Sequence, residues 1–119
     1  MCCKTKEEHV MENISFDLFK QIDLRVAEIK ACEDVPGADR LYKLTIDIGE
    51  ERQIVAGIKT HYTKEELIGK KIAVVANLEP RTIRGLTSHG MLLAASDHEK
   101  KSVVLLTTDK EIPNGSSIS

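Results

Sequence analysis

The sequence predicts an all-β domain built on a curled, closed sheet, and three observations carry that prediction. Apolar residues fall into about six short runs of strand length, separated by Gly, Pro and charged turns. The first run breaks its own alternation, as a bulged and bent strand does. One short, well-capped segment sits between the third and fourth runs, sized as a plug of a turn or two of helix.

Residues 1–13 are polar, with Lys and Glu mixed and no period, and read as a flexible extension ahead of a domain spanning 14–119. Ser15 is placed to cap a short helix, Phe16 to Gln21, with Asp17 in its favourable first turn. Phe16 and Phe19 are the only phenylalanines; three apart, they share a face expected to seal one end of the core. In the first strand, Leu24 to Ile29, Leu24 and Val26 are in phase. Glu28 takes the next apolar slot and Ile29 falls out of phase, so a one-residue bulge is needed to restore the pattern. Glu33 to Asp39 reads as a loop turned by Pro36-Gly37. Tyr42, Leu44, Ile46 and Ile48 alternate with Lys43, Thr45 and Asp47, the pattern of a half-buried strand. Gly49 opens a turn, and Gln53 to Ala56 returns as its hairpin partner.

Thr63-Lys64-Glu65-Glu66 has the form of a capping box, and Gly69 is placed to end that helix after Leu67-Ile68. Ile72 to Ala76 is apolar on both faces, as a central strand covered from both sides would be. Met91 to Ala95 is a further strand, Asp97 to Lys101 a charged turn, and Val103 to Leu106 the last strong strand. Pro113-Asn114-Gly115 marks a terminal turn. Assembled, these elements predict a five-stranded Greek-key OB barrel with a short N-terminal helix, a small helix between strands 3 and 4, and C-terminal extension strands.

Composition narrows the function. A chain of 119 residues, 41% hydrophobic, buries one modest core. No apolar run approaches the roughly 18 residues of a membrane span, and the N-terminus lacks the apolar region of a secretory signal. Cys2, Cys3 and Cys32 offer neither a disulfide framework nor a zinc-type C-x-x-C pair, so a reducing, cytoplasmic setting fits. The net charge of −2 argues against broad electrostatic coating of nucleic acid, but the charge is segregated. Glu33 to Glu51 carries six acids against two cations, and Lys70 to Met91 carries four cations against one acid.

The basic stretch centres on Asn77 to Met91, a connection read as too long for a tight hairpin and therefore as a functional loop. Arg81 and Arg84 bring planar donor forks suited to phosphate. Asn77, Thr87 and Ser88 add neutral hydrogen-bonding groups, while Gly85 and Gly90 permit positive φ or close backbone approach. Signs of an enzyme are missing. No phosphate loop surrounds Gly69-Lys70, no nucleophile elbow surrounds Ser88, and His61, His89 and His98 lack metal-ligand spacing. No catalysis, metal or cofactor is expected. Tyr42 shares the register of Leu44 and points into the core, which leaves Tyr62 as the stacking platform an unpaired strand would need. A folded duplex corner held electrostatically suits this composition better.

The pieces Phe16 to Val26, Pro36 to Leu44, Arg52 to Ile58, and Asn77-Leu78 through Pro80-Arg81, Arg84-Gly85, Ser88 and Gly90-Met91 together resemble a known family. It is the tRNA-binding domain found at the C-terminus of many methionyl-tRNA synthetases. The module also occurs in stand-alone tRNA-binding proteins, CsaA-type chaperone-like proteins and cytokine-related synthetase cofactors. The resemblance implies an OB fold, a homodimer when free-standing, and non-catalytic binding of tRNA by shape, in partnership with methionyl-tRNA synthetase in protein biosynthesis. It also implies that Asn77, Arg81, Arg84, Ser88 and Met91 face the RNA. Asn77 is equally suited to bonding backbone groups, and Met91 to a core position at a strand start. Two positions depart from the pattern: Thr82, where relatives often carry Lys, and His89, where an acid or amide is common. The CsaA branch implies the alternative of a groove for polypeptide segments.

Overall fold

In the computed structural model, residues 12–99 and 101–119 are described. The expected flexible extension, apart from Glu12 and Asn13, lies outside them. The tail of the chain begins with α1 (Phe16–Phe19), capped by Ser15, whose Oγ accepts from the Leu18 amide at 3.1 Å. The strands then follow: β1 (Leu24–Val35), β2 (Ala38–Asp47) and β3 (Glu51–Ala56), then α2 (Lys64–Leu67) and β4 (Lys71–Val75). Six shorter strands complete the chain: β5 (Arg81–Ile83), β6 (Leu86–Ser88), β7 (Met91–Leu92), β8 (Ala94–Ser96), β9 (Val103–Leu105) and β10 (Ser117–Ile118). The all-β class is as expected, but the strands number ten among the described residues instead of about six.

The main sheet runs β3-β2-β1-β4-β7 with β10 added beside β1, every pairing antiparallel. β1 pairs with β4 through residues 24–28 and with β2 through residues 28–35. The register slips between Ile29 and Ala31, so the bulge falls at Lys30, just past the phase fault at Glu28. At that bend the Ile29 amide donates to the Lys70 carbonyl at 2.9 Å, and the Gly69 amide donates back to the Ile29 carbonyl at 2.8 Å. These bonds seat α2 against the sheet. Its capping box is complete, with the Glu66 amide donating to Thr63 Oγ1 and the Thr63 amide to Glu66 Oε1. Leu67, the buried face of that single turn, joins Ile29, Leu44, Ile46, Ile54, Ile72 and Val74 in the core.

Three expectations need correction. The loop expected over Glu33–Asp39 shrinks to the two residues Pro36-Gly37, since Val35 pairs directly with Ala38. Pro36 fixes the first corner and Gly37, at φ 77°, takes the second, as in a type II turn. Its flanking charges are exposed, and a second register break between Asp34 and Val35 leaves Asp39 to Leu41 without partners on β1. Phe16 does not seal the core: it is 72% exposed, because α1 ends before its apolar face reaches the sheet. The run Met91 to Ala95 is two strands that part at Leu93, β7 pairing with β4 and β8 with β9.

The C-terminal turn is bound into the sheet. The Gly115 amide donates to the Val26 carbonyl at 2.7 Å. Asn114 Nδ2 donates to Glu28 Oε1 at 3.0 Å and to Asp47 Oδ2 at 3.2 Å, bridging two carboxylates that face each other across β1 and β2. The bond from Asn114 holds Glu28 below the usual carboxylate range; the Gly49 amide, then Asn114, do the same for Asp47. Gly115 adopts φ 84°, and a Cβ there would collide with the Ile48 carbonyl oxygen. Gly37 has the same sign of φ but open space around it. Gly115→Ala is therefore expected to cost more than Gly37→Ala, about 3 kcal/mol against about 1 kcal/mol. Urea unfolding of the two variants measures the difference.

Candidate nucleic-acid interface

The stretch expected to be one open loop is itself a tight hairpin. β5 and β6 pair in the register Arg81 with Ser88, Thr82 with Thr87, and Ile83 with Leu86. Only Arg84 and Gly85 are left to turn the chain. Both have positive φ, 52° and 80°, the signature of a type I′ turn, whose twist matches that of the flanking strands. Arg84 is the one non-glycine with positive φ among the described residues. The turn therefore holds a long cationic side chain at a conformation that costs an L-residue about 1–2 kcal/mol.

Two polar side chains fix this hairpin to the sheet. Ser88 is 4% exposed, and its Oγ accepts from the Val55 amide at 3.0 Å and donates to the Gly90 carbonyl at 3.2 Å. The His89 amide adds a bond to the Gln53 carbonyl at 2.9 Å, and Gln53 Nε2 donates to the Thr87 carbonyl at 3.0 Å. Together these draw the outer edge of β3 to the base of the hairpin and curl the sheet. Asn77 works at the other end. Its Oδ1 accepts from the Asp23 amide at 2.8 Å and its Nδ2 donates to the Gln21 carbonyl at 2.6 Å, tying the segment after β4 to the segment after α1. Of the five positions expected to face RNA, Ser88 and Asn77 thus spend their hydrogen bonds inside the protein. Arg81, Arg84 and Met91 are exposed, Met91 at 43%.

Charge pairing separates the cations further. Arg25, Lys30, Lys43, Arg52, Lys59, Lys64, Lys71 and Lys101 each lie within ion-pair distance of a carboxylate. Among the described residues, Arg40, Arg81 and Arg84 have no such partner, and neither do Lys20, Lys70 and Lys110. Arg84 lines a shallow groove with residues Gly37 to Leu41, which include Asp39 and Arg40 at the start of β2. Sequence reasoning missed Arg40, because a linear charge count averaged it into the acidic stretch Glu33–Glu51. The signal available was the Pro36-Gly37 turn just before it, which lifts the following residues to a rim.

Tyr62 is not a stacking platform. Its hydroxyl accepts from the Leu105 amide at 3.0 Å, its carbonyl accepts from the Tyr42 hydroxyl at 2.9 Å, and its ring packs on the core. Cys32 is buried, which pushes its thiol up to about 11 and leaves it protonated. Among the described residues, no His, Cys, Asp and Glu side chains gather to hold a metal ion. No helix there is long and apolar enough to cross a membrane.

A small β domain with a basic, outward hairpin beside its first turn defines a nucleic-acid-binding class of module. Residues 24–117 match the family described as "Putative tRNA binding domain". The chain belongs to that family. It is 51% identical over 114 residues to a methionine–tRNA ligase of Thermococcus kodakarensis, covering 95% of this chain and 15% of that one. It is 54% identical over 109 residues to a methionine–tRNA ligase of Methanococcus aeolicus, covering 91% and 16%. The chain therefore spans about one-sixth of the length of these relatives. A crystal structure of a MetRS-related protein from Pyrococcus horikoshii matches with a TM-score of 0.86 at 36% identity, covering 92% of this chain and 100% of that one. The chaperone CsaA of Bacillus anthracis matches with a TM-score of 0.80 at 34% identity, covering 92% and 100%.

The anchoring role of Ser88 has a direct test. Ser88→Ala leaves the Val55 amide without its partner in a part-buried site and should cost about 1–3 kcal/mol. Thermal melting reads the loss, and faster hydrogen exchange at the Val55 amide locates it.

Proposed function

We propose that residues 14–119 form a non-catalytic OB module that binds tRNA through its sugar-phosphate outline, acting in trans with methionyl-tRNA synthetase in the cytoplasm. The observation that carries this reading is the pair Arg81 and Arg84, exposed, without an ion-pair partner among the described residues, and mounted on a hairpin bonded to the sheet at its base. In barrels of this class, ligands meet the loop between strands 1 and 2 and the loop between strands 4 and 5. We take these to be Pro36-Gly37 and the β5–β6 hairpin, and Arg84 and Arg40 line one groove between them together with Asp39. Guanidinium forks bind phosphate oxygens in pairs without reading bases, while Met91 offers an adaptable apolar contact. Neither tyrosine is exposed and the exposed Phe16 stands alone on α1, so a folded duplex corner is a better ligand than a single strand that needs a row of stacking platforms. Few phosphates are gripped, so affinity comes from two copies acting together or from tethering to a synthetase.

Arg81→Ala/Arg84→Ala is expected to weaken tRNA binding and flatten its salt dependence by about 1.5 in log–log slope, at about 0.7–0.9 per phosphate. Filter binding across a salt series measures both, and an unchanged slope rules the hairpin out. Light scattering should give twice the mass of the 13.2 kDa chain. Likeness to a CsaA chaperone favours a second reading, a groove for polypeptide segments. Peptide binding by apolar contact would hardly respond to salt.

A further inference from the structure

We infer that Asp34 is an exchangeable counterion, and that Lys59 and Lys64 beneath it form a second phosphate-binding group on the RNA surface. The inference rests on the tRNA reading above and extends its footprint from the hairpin, past Arg40, to α2. Asp34 lies near the end of β1, two residues before the Pro36-Gly37 turn. Its Oδ1 lies 3.1 Å from Lys59 Nζ, and its Oδ2 lies 3.1 Å from Lys64 Nζ. One carboxylate thus faces two ammonium groups and leaves an excess of one positive charge. Lys64 first and Lys59 second hold Asp34 below the usual carboxylate range, so it is ionised at neutral pH.

The position of this trio continues the arginine rim. The Lys59 amide donates to the Arg40 carbonyl at 3.2 Å, so Lys59, in the turn after β3, is Arg40's backbone neighbour, while Arg84 lines a groove with Arg40 and Asp39. These contacts link Arg84, Arg40, Lys59 and Lys64 in that order, with Asp39 beside the arginines. Asp34 is half exposed and the two ammonium groups about a third exposed. Ion pairs at such exposure are worth little and open readily. A phosphate brings more charge and more acceptor oxygens than the carboxylate it would displace. The displaced Asp34 cannot diffuse away, because the chain tethers it, and it continues to oppose the incoming phosphate. Asp34 therefore sets how tightly this end of the surface holds RNA.

The test uses the full chain and unfractionated tRNA, in filter binding from low to moderate salt. Asp34→Asn should tighten binding about two- to five-fold and steepen the log–log salt slope by about 0.7, one additional phosphate. Lys59→Gln/Lys64→Gln should weaken binding and flatten the slope, and Lys59→Arg/Lys64→Arg should restore both. Melting temperatures and circular dichroism establish that each variant is folded. If Asp34→Asn merely loosens a structural bracket, binding falls or stays level while the melting temperature drops, and the inference is overturned. If neither Asp34 nor the lysines alter affinity while Arg81→Ala/Arg84→Ala abolishes the slope, this inference fails and the tRNA reading stands. If the arginine pair also has no effect, the tRNA reading itself falls.

Discussion

The geometry of the rim depends on β1 changing partners at its bulge. Residues 24–28 pair with β4 and residues 28–35 with β2, so the handover occurs at Glu28, which pairs with both, just before the inserted Lys30. A straight twelve-residue strand would run about 40 Å and carry its neighbours into an open sheet. The inserted residue bends it instead, and the Ile29–Lys70 and Gly69–Ile29 bonds lock α2 into the bend. That places the end of β1, the Pro36-Gly37 turn and the N-cap of α2 at one end of the molecule. The proximity of Arg40, Lys59 and Lys64 follows from this bulge and from a second register break between Asp34 and Val35, which leaves Arg40 without a partner on β1.

The hairpin is held by a different device. A short two-stranded ribbon is marginal alone in water, so β5–β6 needs tertiary support. Ile83 and Leu86 are only half-buried and supply little of it. The support comes from the Ser88 hydroxyl, the His89 amide and Gln53, all at the base of the hairpin. Gly90 is required there too, since at φ 127° a Cβ would lie 2.9 Å from the Val75 carbonyl oxygen. Anchoring the base through the part-buried Ser88 bonds leaves the tip outward. Ser88, and the exposed Asn77 farther along, thus act by holding backbone, while the exposed arginines carry the charge.

How far the sequence could be read follows from which signals are local. The capping box at Thr63 and Glu66 is a local pattern and appears as expected. The bulge was legible as a break in alternation, but alternation says that phase is lost, not which residue is extruded; Glu28 marks the fault and Lys30 bears the bulge. The strands around Pro36-Gly37 were hidden, because Glu33, Asp34, Asp39 and Arg40 look like loop residues; Glu33 and Asp34 in fact pair across the ribbon, while Asp39 and Arg40 fall in its register break. The β5–β6 hairpin was missed for a related reason. Arg-Gly is not among the usual dipeptides of a two-residue turn, and the flanks lack apolar alternation. Arg81 and Arg84 were visible as chemistry. Arg40 was not, since its relevance comes only from the groove that sets it beside Arg84.

Net charge is a poor guide to this protein, and the reason is where its charges are spent. Acids outnumber cations by two, which suggests repulsion from RNA. Most cations on the body of the fold are matched to a carboxylate at short range, so their fields cancel within a few ångströms. Screening at physiological salt removes what remains beyond about 8 Å. A phosphate approaching the rim therefore responds to nearby unmatched groups and not to the total. Arg81, Arg84 and Arg40 supply those groups, with the half-matched trio of Asp34, Lys59 and Lys64 next along the surface. On the proposed reading, pairing of acids with cations elsewhere favours discrimination, since a matched face offers a phosphate less than the rim does.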